Sequence, residues 1–235
     1  MNRIMKSIFD IKKWTVLTIL LALPFSTINA QESDFGNWLI YIGSKKINKK
    51  WNIHNEVQYR NFNAIGDLEQ LLIRAGLGYN LTENNNNVLL GYGYILSRNF
   101  IGNTDETVNT NEHRIFQQYT TKQKVKSVSL THRYRFEQRF IEEDFRLRFR
   151  YFLSLNIPLG KKVFDENNID KRKLYLSAYN EIFLNGDSSI FDRNRVYGGL
   201  GYKFSKSVRV ELGYLNQFLE RTGRDQLNII TFVNF

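Results

Sequence analysis

Residues 128–157 read VSLTHRYRFEQRFIEEDFRLRFRYFLSLNI. Folding this stretch back on itself about Ile141–Asp144 sets Phe140 opposite Phe145. Gln138 then meets Leu147, Phe136 meets Phe149, Tyr134 meets Tyr151, His132 meets Leu153, Leu130 meets Leu155 and Val128 meets Ile157. One face of this hairpin is largely apolar on both strands. The same register sets Arg139 beside Arg146, Glu137 beside Arg148 and Arg135 beside Arg150 on the other face. A soluble sandwich would have to bury that arginine-rich face or leave it in bulk water, whereas a barrel encloses it in a wet lumen.

Period-two alternation extends from Phe35 to Phe235 in about eleven segments of about ten residues, the length that crosses a bilayer at a tilt. The predicted strands are 35–47, 51–60, 67–79, 88–98, 112–122, 127–140, 145–157, 173–184, 193–204, 208–219 and 225–235. Short turn clusters separate many of them: Asn48 to Lys50, Thr82 to Asn87, Lys122 to Lys126 and Ser205 to Ser207. Asn99–Asn111 and Asn185–Asp192 form longer connections at the opposite end, but Leu159–Arg172 is long and falls among the short turns. In the last strand Leu227, Ile229, Thr231, Val233 and Phe235 share one face, and the chain stops on the aromatic. That ending resembles the C-terminal assembly signal of outer-membrane barrels and implies contact with the barrel-assembly machinery. This strand is expected to close the barrel against the first one. Single-chain bacterial barrels normally have an even strand number, so the odd count predicts one misassigned segment, at the N-terminus or within Leu159–Arg172.

Residues 1–30 read as a secretory signal peptide, with a basic start (Arg3, Lys6, Lys12, Lys13), an apolar stretch from Trp14 to Phe25 and small Ala30 before Gln31. Residues 31–235 then form one barrel domain. With no cysteine, lipoprotein anchoring and disulfides are both excluded. Setting aside the signal lowers the net charge from +10 to about +7 and leaves Pro158 as the one remaining proline, which suits uninterrupted ladders. In a secreted chain with aromatics throughout, a basic balance points to anionic headgroups or solutes and not to nucleic acid. The mean hydropathy of −0.41 would suggest a soluble protein, but barrels have polar lumens and escape that inference.

Aromatic residues Trp51, Tyr59, Tyr79, Phe140, Phe145, Phe204, Phe218 and Phe235 fall at or near predicted strand ends, where barrels carry their interfacial girdles. Further pieces are Phe35-Gly36-Asn37-Trp38, Glu56-Val57-Gln58-Tyr59-Arg60, Tyr179-Asn180-Glu181-Ile182-Phe183, and Asp192-Arg193-Asn194-Arg195 leading into Tyr197-Gly198-Gly199-Leu200-Gly201-Tyr202. In this order the chain resembles the uncharacterised outer-membrane β-barrel proteins of Gram-negative bacteria grouped as domain-of-unknown-function 2490. The resemblance implies an all-β, transmembrane, antiparallel up-and-down barrel of about 10–12 strands. It carries no assigned reaction, hence no catalytic residues.

The predicted lumen lining is His54, Glu56, Arg74, Arg133, Arg135, Glu137, Arg139, Arg146, Arg148, Arg150, Glu181, Arg195, Arg209 and Glu211. About eight strands leave an interior filled by side chains and 16 to 18 an open channel, so ten to twelve predict a narrow or occluded lumen of positive bias. It should be crossed by ion pairs to Glu56, Glu137, Glu181 and Glu211. Two readings stand side by side: a porin-like passage for small anionic solutes, or a non-conducting structural or interaction barrel whose charges only satisfy one another. A third, a lipid-modifying enzyme, needs a serine and a histidine base near the outer rim. None of His54, His113 and His132 has a serine at a telling position. A metal site at His54 and Glu56 lacks an identifiable third ligand. No cofactor is expected, and the partners expected are outer-membrane lipids and lipopolysaccharide around a monomer.

Overall fold

The computed structural model describes residues 35–63, 66–82, 85–101, 106–162, 166, 171–186 and 189–235. Predicted signal residues 1–30 lie outside them. Eleven strands run in sequence: β1 (Gly36–Lys46), β2 (Trp51–Asn61), β3 (Leu68–Asn80), β4 (Asn86–Phe100), β5 (Thr107–Val125), β6 (Val128–Ile141), β7 (Asp144–Pro158), β8 (Leu174–Asn185), β9 (Phe191–Lys203), β10 (Val208–Phe218) and β11 (Gly223–Asn234). Each pairs antiparallel with its neighbour in sequence, and β1 pairs with β11 to close the barrel.

The strand count corrects the expectation of a misassigned segment: the described residues form eleven strands, and β1 runs parallel to β11 from Gly36 opposite Gln226 to Ser44 opposite Asn234. The physical reason is orientation. In an up-and-down chain an odd count leaves first and last strands pointing the same way, so the closing ladder has to be parallel. The Phe235 amide extends this seam by donating to the Ser44 carbonyl at 2.9 Å.

The hairpin of residues 128–157 adopts the predicted register from Phe140–Phe145 down to Leu130–Leu155, with the ladder ending at Ser129–Asn156, just short of Val128–Ile157. Its tight turn, and that between β5 and β6, place Glu142 and Lys126 at positive φ, the twist-matching conformation of two-residue hairpins. β5 is nineteen residues long, against eleven predicted, and β4 fifteen. The connection predicted over Asn99–Asn111 shrinks to 101–106 because its polar residues continue the β4–β5 ladder to Phe100–Thr107.

Two ends can now be named. The C-terminal rim carries Phe235, the short turns and the long β7–β8 connection; the loop rim carries the remaining connections. Along every strand one set of side chains faces out. Leu39, Val57, Ile73, Leu90, Ile115, Phe136, Phe149, Leu176, Val196, Leu212 and Ile229, one from each strand, are all exposed, forming an apolar belt around the barrel. The opposite set faces the lumen and holds the buried charges and a small apolar cluster of Trp38, Ile40, Tyr197, Leu215 and Ile230.

Lumen packing depends on glycine at Gly91, which faces inward beneath the Phe116 ring, so that a Cβ there would collide with it. The large aromatic thereby covers backbone that no other residue type would leave accessible. Gly91→Val is expected to lower barrel stability by about 1–3 kcal/mol through overpacking, read as the urea midpoint of folding into vesicles. An unchanged midpoint would mean that the ring is free to move aside.

Candidate lumen site

The lumen contains two barriers toward its loop rim and a cavity toward the C-terminal rim. Over β5 to β8 the first barrier centres on Glu137, which is fully buried. Arg148 donates to it through Nε and Nη2 at 2.9 and 2.7 Å, and Arg150 through Nη1 at 2.7 Å. Arg135 and Arg114 lie 3.7 and 3.9 Å away. Glu181 accepts from Arg133 at 2.7 Å and from Arg150 at 2.6 and 3.0 Å. Toward the rim Glu112 takes Arg114 and Arg139, the latter at 2.6 and 3.0 Å, while Asp192 takes Arg148 at 3.1 Å. Alternation places these groups on one face, and the tilt of neighbouring strands brings their levels together. Charge-assisted, forked arginine–carboxylate bonds of this kind hold the side chains across the lumen.

The second barrier lies over β1, β2 and β9. The guanidinium groups of Arg60 and Arg195 both lie over the Trp38 ring, at 3.9 and 4.7 Å from its centre. Arg60 also donates to Gln58 and Gln70, and Arg195 to Gln217.

A cavity of about 460 Å³ lies below both barriers. Lys122, Asn156, Pro158, Lys203, Arg209 and Phe232, all close to strand ends at the C-terminal rim, mark its mouth. Eight lysines and arginines line it against three carboxylates, Glu56, Glu181 and Glu211. Its walls differ: Ser129, Thr131, Ser154, Asn156 and Ser177 form a polar side, and Ile40, Ile42, Ile230 and Phe232 an apolar one. Outside the mouth the exposed turns continue the positive charge through Lys45, Lys46, Lys49, Lys50, Lys124, Lys126, Lys161, Lys162 and Lys206. Asp67, Glu106, Glu142, Glu143, Asp144 and Glu220 are exposed at the opposite rim beside Arg146 and Arg221, and Glu166 is the acid exposed among these lysines within the described residues of the β7–β8 connection. The field along the axis therefore draws anions toward the cavity mouth.

Most predicted lining residues face this interior, including His54, whose Nε2 is 3.5 Å from Glu56, and Arg74, which donates to Glu56 at 2.8 Å. Two differ from expectation. Arg146 sits half-exposed on the loop rim, paired with Asp144 at 3.1 Å, because the strand has already left the lumen at that height. Glu211 accepts from the Tyr175 hydroxyl at 2.8 Å and pairs with no arginine among the described residues, since Arg209 stacks instead on Phe232 at 3.8 Å. Sequence reasoning missed Arg60, Glu112, Arg114 and Asp192. The alternation that turns His113 outward already implied Glu112 and Arg114 inward; Phe116 on the same face masked their polar character. His113 and His132 face outward and contact Tyr92 and Tyr151 at 2.5 and 2.9 Å. Among the described residues no group of three or more His, Asp or Glu is arranged to hold a metal ion.

The sequence pattern of DUF2490, a family described as proteins of unknown function, matches residues 35–228, nearly the whole barrel. The chain belongs to the DUF2490 family. An uncharacterized protein of Methylorubrum extorquens strain AM1 is 31% identical over 167 residues, covering 69% of each chain. No solved structure matches. The matched region begins one residue before β1 and stops within β11, so the family pattern covers both lumen barriers and all but the last strand's end.

Proposed function

We propose that this DUF2490 protein is an integral outer-membrane barrel that gives small anionic solutes a narrow passage, closed at rest by the two lumen barriers. The apolar belt supports membrane residence, because soluble monomers rarely expose contiguous apolar patches beyond a few hundred Å². Eleven residues at about 3.3 Å each, tilted by about 40°, rise roughly 28 Å, enough to match the apolar band of such barrels. With the C-terminal rim toward the periplasm, the β4–β5 and β8–β9 connections face outward and the long β7–β8 connection faces the periplasm, and export through the periplasm accounts for the signal-like residues 1–30. Lipids and lipopolysaccharide would surround a monomer.

The observation that carries the passage is the cavity with its excess of lysine and arginine. A ring of fixed positive charge lowers the barrier for anions and raises it for cations. The Glu137 network favours a second reading, a non-conducting structural barrel, since well-paired charges also stiffen a closed wall. Planar bilayers separate the two. Folded protein, verified by its heat-dependent gel migration, is expected to give sparse, small, anion-favouring events. Trp38→Ala removes the ring over which Arg60 and Arg195 both lie while leaving their glutamine partners in place, and is expected to raise conductance several-fold. Silence from both proteins at every voltage would favour the structural barrel.

A further inference from the structure

We infer that the lumen cavity is a binding site for an organic monoanion with an apolar body, of the medium-chain carboxylate class, entered from the C-terminal rim. The inference deepens the passage reading above and rests on it for direction of entry, though the site itself stands on the cavity alone.

Charge by itself would suit any anion, so the discriminating feature is the asymmetry of the walls. A site built for phosphate or chloride is lined by donors, whereas the wall of Ile40, Ile42, Ile230 and Phe232 has none of its own, with Arg209 stacked on Phe232 at its edge. Ile42, Ile230 and Phe232 present a continuous apolar strip that packs on the Trp38–Tyr197 cluster beneath it. Leaving such a strip against water is unfavourable, and a ligand with an apolar body removes that cost. The volume of about 460 Å³ falls within the range of small-molecule sites, which combine apolar walls with a few convergent polar groups.

The polar anchor is Arg133. Among the arginines of the Glu181 cluster its side chain alone remains substantially accessible, 23% against 6% for Arg150. Its guanidinium lies over Phe152 at 4.3 Å and donates one Nη2 bond to Glu181, while Nε has no partner. Arg74, nine-tenths buried and lining the same cavity, likewise has a partnerless Nε. Both Nε atoms are shielded from solvent, so a carboxylate head at this level would accept from the remaining Nη donors of the accessible Arg133 side chain, which makes one bond to Glu181. Nearer the mouth Arg209, with no carboxylate partner among the described residues, stacks on Phe232. It thereby joins the apolar strip to a charge that guides the head inward.

Trp38 supplies the readout. With Trp51→Phe on the outer wall, it is the one tryptophan within residues 31–235. In phosphatidylcholine vesicles, octanoate is expected to change Trp38 fluorescence saturably, whereas acetate, which has the head without the body, and octanol, the body without the head, do not. Arg133→Gln is expected to weaken octanoate by about tenfold or more. Phe232→Ala, which leaves the ion-pair network untouched, should weaken it by a similar factor. Equal responses to acetate and octanoate, or octanoate binding that neither variant alters, would overturn the site. The passage is read separately in planar bilayers. Conductance with chloride but no octanoate binding removes this inference and leaves the passage, whereas octanoate binding in a barrel that never conducts supports the site and removes the passage.

Discussion

Glu137→Ala is expected to destabilise the folded barrel by about 3–5 kcal/mol, the cost of removing one partner from a buried ion-pair cluster. The Glu137 carboxylate has no solvent exposure and faces four guanidinium groups. Three of them keep another acid when it is gone: Arg148 has Asp192, Arg150 has Glu181 and Arg114 has Glu112. Arg135 does not. It is 2% exposed, and its remaining bonds go to the neutral Gln118 at 2.6 and 2.9 Å. The loss should therefore concentrate on Arg135, and Glu137→Leu combined with Arg135→Met should recover much of it, because a buried pair replaced by apolar groups of like size is often near neutral. Urea-induced unfolding from vesicles measures both. A single mutant within about 1 kcal/mol of the parent would mean that water reaches the cluster freely and that the lumen is not closed there. Glu211→Gln serves as the contrast: losing the charge but keeping an acceptor for Tyr175 should cost no more than about 1.5 kcal/mol.

Deleting Phe235 is expected to reduce the amount of barrel in the outer membrane several-fold while scarcely changing the stability of protein refolded in vitro. The two effects separate because the residue contributes little to the packed structure. Its ring is 66% exposed, and its amide adds one bond to the closing seam, worth about 1 kcal/mol. On the proposed outer-membrane reading, recognition during assembly would instead use the outward face of Leu227, Ile229, Thr231, Val233 and Phe235 before the seam forms. Membrane fractions with heat-dependent gel migration measure the first quantity, and unfolding midpoints the second. Normal membrane levels of the truncated chain would end the reading of this strand as an assembly signal. A large fall in refolded stability would instead make Phe235 a structural clasp.

Much of the inward face was legible because strand alternation is local. Once Tyr134, Phe136 and Phe140 were assigned outward, Arg133, Arg135, Glu137 and Arg139 had to point inward, and the tight turn at Glu142–Glu143 then set their partners on β7. Alternation also carried the assignment of Glu56, Arg74, Glu181 and Arg195. It failed at Glu112 and Arg114, where the buried Phe116 interrupts the polar face, and at Arg146, because periodicity does not say where along a strand the lumen ends.

Contacts across the lumen were not legible, and they define the site. Arg133 reaches Glu181 over 48 residues of chain, and Arg148 reaches Asp192 over 44. Such partners depend on how far each strand is offset from the next, a quantity that accumulates around the barrel and appears in no single hairpin.

By itself the amino-acid sequence determined the order of the strands, the face most side chains occupy and the register of the β6–β7 hairpin, since these follow from a two-residue period and turn chemistry between adjacent segments. Only the tertiary structure decided that eleven strands close by a parallel seam, that two arginines lie over Trp38, and that the charges gather into barriers above one cavity. Those features arise from closure, which sets tilt and offset for all strands together and brings distant residues to the same height.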